Sequence, residues 1–348
     1  MNKKTIVFLI AFLIIFGYYS EIISAKDIKI PKKALKLEKK GNKAMSKGKY
    51  DKAMEFFNKA LEIYPDIETV HYKIASIYAY KKNYKDAISE LNLTLKINPA
   101  HVNAKKAIID TTLKYGNLLL KNKKIDEANK LFIDLQKING IKEIDGKLIT
   151  ELDYRIGFNY FQLRKGDESN LYLLKFINNP ESIKLFRNFF STANYLIGLN
   201  FSQKGEIKNS NKYLKNFVAL NSETPDNKYL GFAKYIIGMN SFNALKEKIG
   251  KIEKIKTRKN LKQSNRKILE LAKSENDIEE NILFAIKKKP ELENAYVILG
   301  NFYYLRRDLE NAIKYYKLLL EKFPNSTDTE IYKVFLSDIE RQKKQKSN

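Results

Sequence analysis

Prolines at a fixed interval set most of what this chain can fold into. Pro31, Pro65 and Pro99 stand 34 residues apart, as do Pro290 and Pro324 near the other end. A proline cannot continue the helix that precedes it, so each interval has to hold a complete structural unit. The stretch from Ala34 to Pro65 shows its content. Leu37, Gly41 and Ala44 fall at helical spacing. After Gly48, a turn residue, Tyr50, Ala53, Phe57, Ala60 and Leu61 form one apolar stripe. The pattern predicts two helices joined by a tight turn, with the small Gly41 where the neighbouring helix approaches. Glu68 to Pro99 repeats it with Ala75, Tyr78, Tyr84, Ala87 and Leu91, and Asn294 to Pro324 repeats it with Gly300, Tyr303, Ala312 and Tyr316. The other two prolines, Pro180 and Pro225, also fall at expected helix boundaries.

From His101 the period lengthens. Gly116, Gly157, Gly198 and Gly238 are separated by 41, 41 and 40 residues, the last three within Tyr154 to Asn159, Tyr195 to Asn200 and Tyr235 to Asn240, all of the form Tyr-x-Ile-Gly-x-Asn. Longer hairpins are expected here, each helix about one turn longer. The Asn lies two residues past the Gly, about 200° around the helix axis. Asn159, Asn200 and Asn240 are therefore expected to form a polar row along the array. Such a row is either open to the backbone of a bound peptide or solvated in an Asn-rich sequence.

These residues closely resemble the tetratricopeptide repeat (TPR), a helical hairpin of about 34 residues. The resemblance implies an all-α fold, a right-handed α-solenoid of TPR-like helical hairpins, and a non-enzymatic scaffold. Such a scaffold binds an extended peptide or a partner helix along its concave surface, which the first helix of each hairpin lines. On the face opposite the small packing residues, the candidate groove residues are Asn42, Tyr72, Ser76, Asn117, Asn301 and Tyr304. Some members grip a C-terminal carboxylate with a Lys/Asn/Arg clamp. Asn42 matches one clamp residue, but Glu38 stands where a Lys is needed, so that activity does not carry over.

Lys3 and Lys4 precede an apolar run from Ile6 to Tyr19. This is the form of a secretory signal, and the run is short of the roughly 20 residues of a spanning helix. Residues 1–25 are thus expected to be a signal peptide or a membrane anchor over residues 5–20, placing the protein in the periplasm or cell envelope. A linker at 26–32, two regular repeats at 33–99, longer hairpins at 100–245, a basic degenerate repeat at 246–290, a regular repeat at 291–326 and a capping helix with a polar outer face and a basic tail at 327–348 complete the organisation.

With no cysteine in the chain, disulfides, thiolate metal sites, cysteine nucleophiles and cysteine lipidation are excluded. The formal net charge is +25, which suits a polyanionic partner. Only eight of the 65 basic residues are Arg, however, and this disfavours nucleic acid, whose readers lean on Arg. Lys246 to Lys267 holds ten basic residues against two Glu, a candidate contact for an anionic membrane surface. His71 and His101 have neither triad partners nor metal-ligand spacing. The glycines are scattered singly, which leaves no phosphate loop, and Glu279-Glu280 lacks a visible pocket. No cofactor is implied. The expected function is protein–protein interaction in the cell envelope; the alternative is binding of anionic lipid, cell-wall polymer or nucleic acid through the basic surface.

Overall fold

The computed structural model describes residues 29–224, 227–258 and 260–347. The expected signal or anchor, the start of the linker, Pro225 and Lys259 lie outside them. Every regular element among the described residues is a helix, none of them long and apolar enough to cross a membrane. The chain divides into two compact units, Met1–Ile144 and Asp145–Asn348, rather than at the period changes near residues 99 and 245.

The first unit stacks three hairpins: α1 (Lys32–Met45) with α2 (Tyr50–Ile63), α3 (Glu68–Tyr80) with α4 (Tyr84–Ile97), and α5 (Val102–Lys121) with α6 (Ile125–Gln136), followed by the one-turn α7 (Ile141–Ile144). The second pairs α8 (Gly146–Gln162) with α9 (Gly166–Asn178). After the short α10 (Pro180–Leu185) it pairs α11 (Arg187–Gln203) with α12 (Ile207–Leu220). Then come α13 (Leu230–Lys254), α14 (Leu261–Ser274), α15 (Asn276–Lys288), the hairpin α16 (Glu293–Leu305) with α17 (Leu309–Lys322), and α18 (Thr329–Ser347).

One register runs through the hairpins. Where the first helix carries its glycine, the side chain sixteen positions later fills the space a Cβ would need: Phe57 against Gly41, Phe132 against Gly116, Leu173 against Gly157, Leu214 against Gly198, Tyr316 against Gly300. Seven positions after the small residue the chain reverses through a left-handed residue: Gly48, Lys82, Lys123, Arg164, Gly205 and Arg307, with φ between 57° and 74°. Glycine reaches this region freely and Lys or Arg does so at some cost. The turn is therefore imposed by the packing of the two helices it joins.

Only part of the expected lengthening is in the helices. α5, α8 and α11 have 20, 17 and 17 residues against 14 and 13 for α1 and α3, whereas the second helices α6, α9 and α12 stay at 12 to 14. The short α7 and α10 take up the remainder.

The basic segment also departs from expectation. Residue 246 lies inside α13, whose buried Phe242, Leu245, Ile249 and Ile252 continue one apolar stripe. Gly238 meets Ile282 on α15, 44 positions on, so this hairpin is α13 with α15, and α14 is inserted between them. The insert packs on the first helices α13 and α16 and buries only Ser264 and Ala272.

At the end of the second unit, α18 packs on α17 through the buried Ile339. Its outer face is not the polar cap expected. Ile331, Val334 and Phe335 are 54%, 70% and 51% exposed, because α18 takes the place of a first helix on which no second helix rests among the described residues.

A buried histidine ties the second hairpin to the loop before it. His71 Nδ1 is 2.6 Å from a Glu90 carboxylate oxygen on α4, and Nε2 is 2.8 Å from the Pro65 carbonyl. Both nitrogens face acceptors, so only the imidazolium satisfies both. The Glu90 hydrogen bond raises the His71 pKa, burial opposes it, and the Pro65 carbonyl and Asp66 add to the rise. A raised folded-state pKa makes this contribution fully present below the unfolded value of about 6.5 and lost as pH climbs through the folded value. Urea midpoints of the first unit, measured from pH 5.5 to 8.5, are expected to fall with rising pH in the wild type and to lose that slope in His71→Gln. A slope retained in the variant would assign it to another group.

Candidate functional site

On the first helices of the first unit, Asn42, Ser76 and Asn117 each follow the small contact residue Gly41, Ala75 or Gly116 by one position. Asn42 and Asn117 are exposed, and Tyr72 and Ser76 are half-buried. The Ser76 hydroxyl donates to its own helix at the Tyr72 carbonyl (2.9 Å), and the Tyr72 ring lies 5.0 Å from that of His101. Glu38, the residue that breaks the clamp pattern, accepts a 2.8 Å hydrogen bond from Thr69.

In the second unit the expected row of open amides is corrected. Asn159, Asn200 and Asn240 are buried, at 3% to 4% exposure. The Asn200 amide donates to the Ser169 hydroxyl (3.0 Å) and the Asn170 side-chain oxygen (2.8 Å) on α9. Asn240 does the same to Ser210 (3.0 Å) and Asn211 (2.9 Å) on α12. In Asn200 and Asn240, two positions past the glycine, the side chain points at the second helix of the preceding hairpin. Ser169 and Ser210 stand where the regular hairpins carry the buried Ala53, Ala87 and Ala312, so a small apolar contact is replaced by a polar one. No buried side-chain nitrogen or oxygen is left unsatisfied among the described residues; these joints fix how hairpins stack, and the Asn200 amide is committed to them although the residue also lines a groove.

Asn301 and Tyr304 are half-buried and already engaged. Asn301 accepts from the Tyr316 hydroxyl (3.0 Å), and the Tyr304 hydroxyl accepts from Gln342 (3.1 Å) on α18. Tyr304 and Leu305 also wall a small pocket of about 150 Å³ that Ile268 and Leu269 of α14 line as well. The inserted helix thus covers the C-terminal part of the face that the first helices present. The basic segment lies on the last turns of α13 and on α14. There Lys248 pairs with Glu275 (2.7 Å) and Arg266 with Glu270 (2.9 Å), while Lys246, Lys251, Lys254, Lys262 and Lys267 are exposed.

Upstream the same face is open. Phe158, Phe161 and Gln162 of α8, Tyr195, Leu196, Leu199 and Gln203 of α11, and Tyr229 just before α13 line a groove of about 750 Å³. A second pocket of about 360 Å³ continues past the shared walls Thr192, Tyr195 and Tyr229 to Ser191, Asn221 and Lys228. The Tyr195 ring is held 5.0 Å from Phe217 and 5.2 Å from Tyr229. Burial pushes its phenol up to about 12, which keeps it a neutral hydrogen-bonding group at ordinary pH. Volumes of a few hundred Å³ with mostly apolar walls and a few polar groups are those of ligand-binding clefts.

Of the groove walls the sequence candidates included only Asn200, yet a signal for others was there. One position past the contact glycine, where Asn42, Asn117 and Asn301 stand in other hairpins, Gly157 and Gly198 are followed by Phe158 and Leu199, both in the groove. Five positions past it they have Gln162 and Gln203.

Three segments match tetratricopeptide repeat models: residues 37–67, 69–101 and 294–326. No curated protein matches the chain. Among solved structures it is similar to PilW, described as a widely conserved type IV pilus biogenesis factor, at 15% identity and TM-score 0.31 over 86% of this chain and 98% of that one. YrrB, described as a TPR protein with an unusual peptide-binding site, is 15% identical at TM-score 0.34, over 69% and 95%. The C-terminal part of a TPR repeat-containing protein from Cytophaga hutchinsonii is 16% identical at TM-score 0.40, over 84% and 97%. The matched segments carry the assignment: this chain contains tetratricopeptide repeats at residues 37–67, 69–101 and 294–326.

Proposed function

We propose that this protein is a non-enzymatic scaffold of the cell envelope, and that the groove across α8, α11 and the start of α13 receives a segment of a partner protein. Tetratricopeptide repeats support protein interaction in general. The observation that carries the finer reading is the contrast along one face: the C-terminal hairpins have it covered by α14, and the long hairpins leave it open and lined with aromatic and aliphatic side chains. Export rests on Lys3 and Lys4 before the apolar run from Ile6 to Tyr19, and on that basis the working compartment is the periplasm or cell envelope, with the apolar run cleaved or kept as an anchor.

A photo-crosslinking residue placed at Gln203, on the groove rim, tests this in intact cells against the same residue at Lys212, on the second helix α12. A discrete adduct is expected from Gln203 and none from Lys212. Adducts of equal yield from both positions would remove the groove as the binding face.

A further inference from the structure

We propose that this groove takes a peptide segment in which a large apolar or aromatic side chain is flanked by carboxylates on both sides. The inference rests on the groove being the binding face, and it adds the chemistry of the occupant. Phe158, Phe161, Leu196 and Leu199 offer an apolar pocket, and Tyr195 and Tyr229 join it to the second, smaller pocket. Each pocket is lined by one cation, Arg164 in the first and Lys228 in the second. No Asp or Glu lines either one.

Among the described residues neither cation has a carboxylate partner. Three acids of the neighbouring hairpins are paired with other lysines: Asp167 with Lys204, Asp153 with Lys175 at 2.7 Å, and Asp277 with Lys215 at 2.7 Å. Lys228 rests 4.9 Å from the centre of the Tyr229 ring. Arg164 occupies the left-handed turn position, φ 57°, so its backbone is fixed by the hairpin while its side chain reaches solvent. In the first pocket, the exposed amides of Gln162 and Gln203 can pair with a peptide backbone, unlike the Asn200 amide, which is committed to Ser169 and Asn170.

The two parts of the occupant do different work. Burying the apolar side chain supplies most of the affinity. Exposed charge pairs add little energy each, but they set direction, partner choice and association rate.

Three acetylated, amidated fluorescent peptides test the proposal against the full-length protein, at about 0.3 M salt so that the general positive charge is screened. In one, Phe-Leu is flanked on each side by Asp-Glu; in the second the flanks are Lys-Arg; in the third the acidic flanks are kept and Phe-Leu becomes Ser-Ser. The first is expected to bind at least about tenfold more tightly than either of the others, a gap of about 1.4 kcal/mol. The surface double variant Arg164→Glu/Lys228→Glu should reverse the preference between acidic and basic flanks, and Leu199→Glu should weaken the first peptide with the helical circular dichroism unchanged. Equal binding of the acidic and basic peptides, or a preference that survives the charge reversal, overturns the carboxylate chemistry and leaves the groove reading standing if Leu199→Glu still weakens both. Binding insensitive to Leu199→Glu, or no binding of any peptide, overturns both.

Discussion

Leu214→Ala is expected to destabilise the second unit by about 2–5 kcal/mol, the range for truncating a fully buried leucine. Leu214 has no exposed surface. Its Cγ and Cδ2 occupy the space where a Cβ on Gly198 would lie, at 2.6 and 2.7 Å from that position. The void left by the truncation would open at the contact between α11 and α12, where backbone on both sides limits collapse. A lower urea midpoint and faster hydrogen exchange in α11 and α12 are the expected readouts. If exchange rises elsewhere and these two helices stay protected, Leu214 is not the element that locks this hairpin.

Gly198→Leu disturbs the same contact from the other side and is expected to cost about 1–3 kcal/mol by overpacking. A rotamer change of Leu214 cannot relieve all of it, since the added Cβ would also stand 3.2 Å from the Leu214 backbone nitrogen. Gly250 is the internal control. It too is a helical glycine, on α13, but nothing lies within 4 Å of its missing Cβ. Gly250→Ala should therefore gain up to about 1 kcal/mol of helix propensity. Opposite signs at two helical glycines would separate packing from backbone preference, and loss of stability at both would mean that propensity arguments fail here. Combining Gly198→Ala with Leu214→Ala should cost less than the sum of the two single changes, because residues in contact couple.

The local part of this structure was legible in the sequence. Prolines at 34-residue spacing marked where hairpins end, and Gly41, Gly116, Gly157, Gly198 and Gly300 marked where the two helices of a hairpin meet. Both are short-range facts: a proline acts on its own helix, and a glycine meets a side chain sixteen residues away. The apolar stripe Phe242, Leu245, Ile249 and Ile252 also announced that α13 runs on past residue 246. The run of lysines around it, which says only that the opposite face is solvated, obscured that continuity.

What the tertiary structure decided was direction between hairpins. The sequence by itself placed Asn159, Asn200 and Asn240 on a second face of their helices, about 200° from the contact glycine. It could not say what that face meets, because the answer depends on the angle at which one hairpin rests on the previous one. The structure turns Asn200 and Asn240 onto Ser169 and Ser210 and makes them the polar joints of the stack. The same stacking angle presents Phe158, Leu199 and Tyr229 to a common groove, and it brings α14 over Tyr304 and Leu305. Periodicity fixes a side chain's place around its own helix axis. Whether that place faces a neighbouring hairpin, a groove or an inserted helix is set by long-range packing, to which residues far apart in sequence contribute jointly.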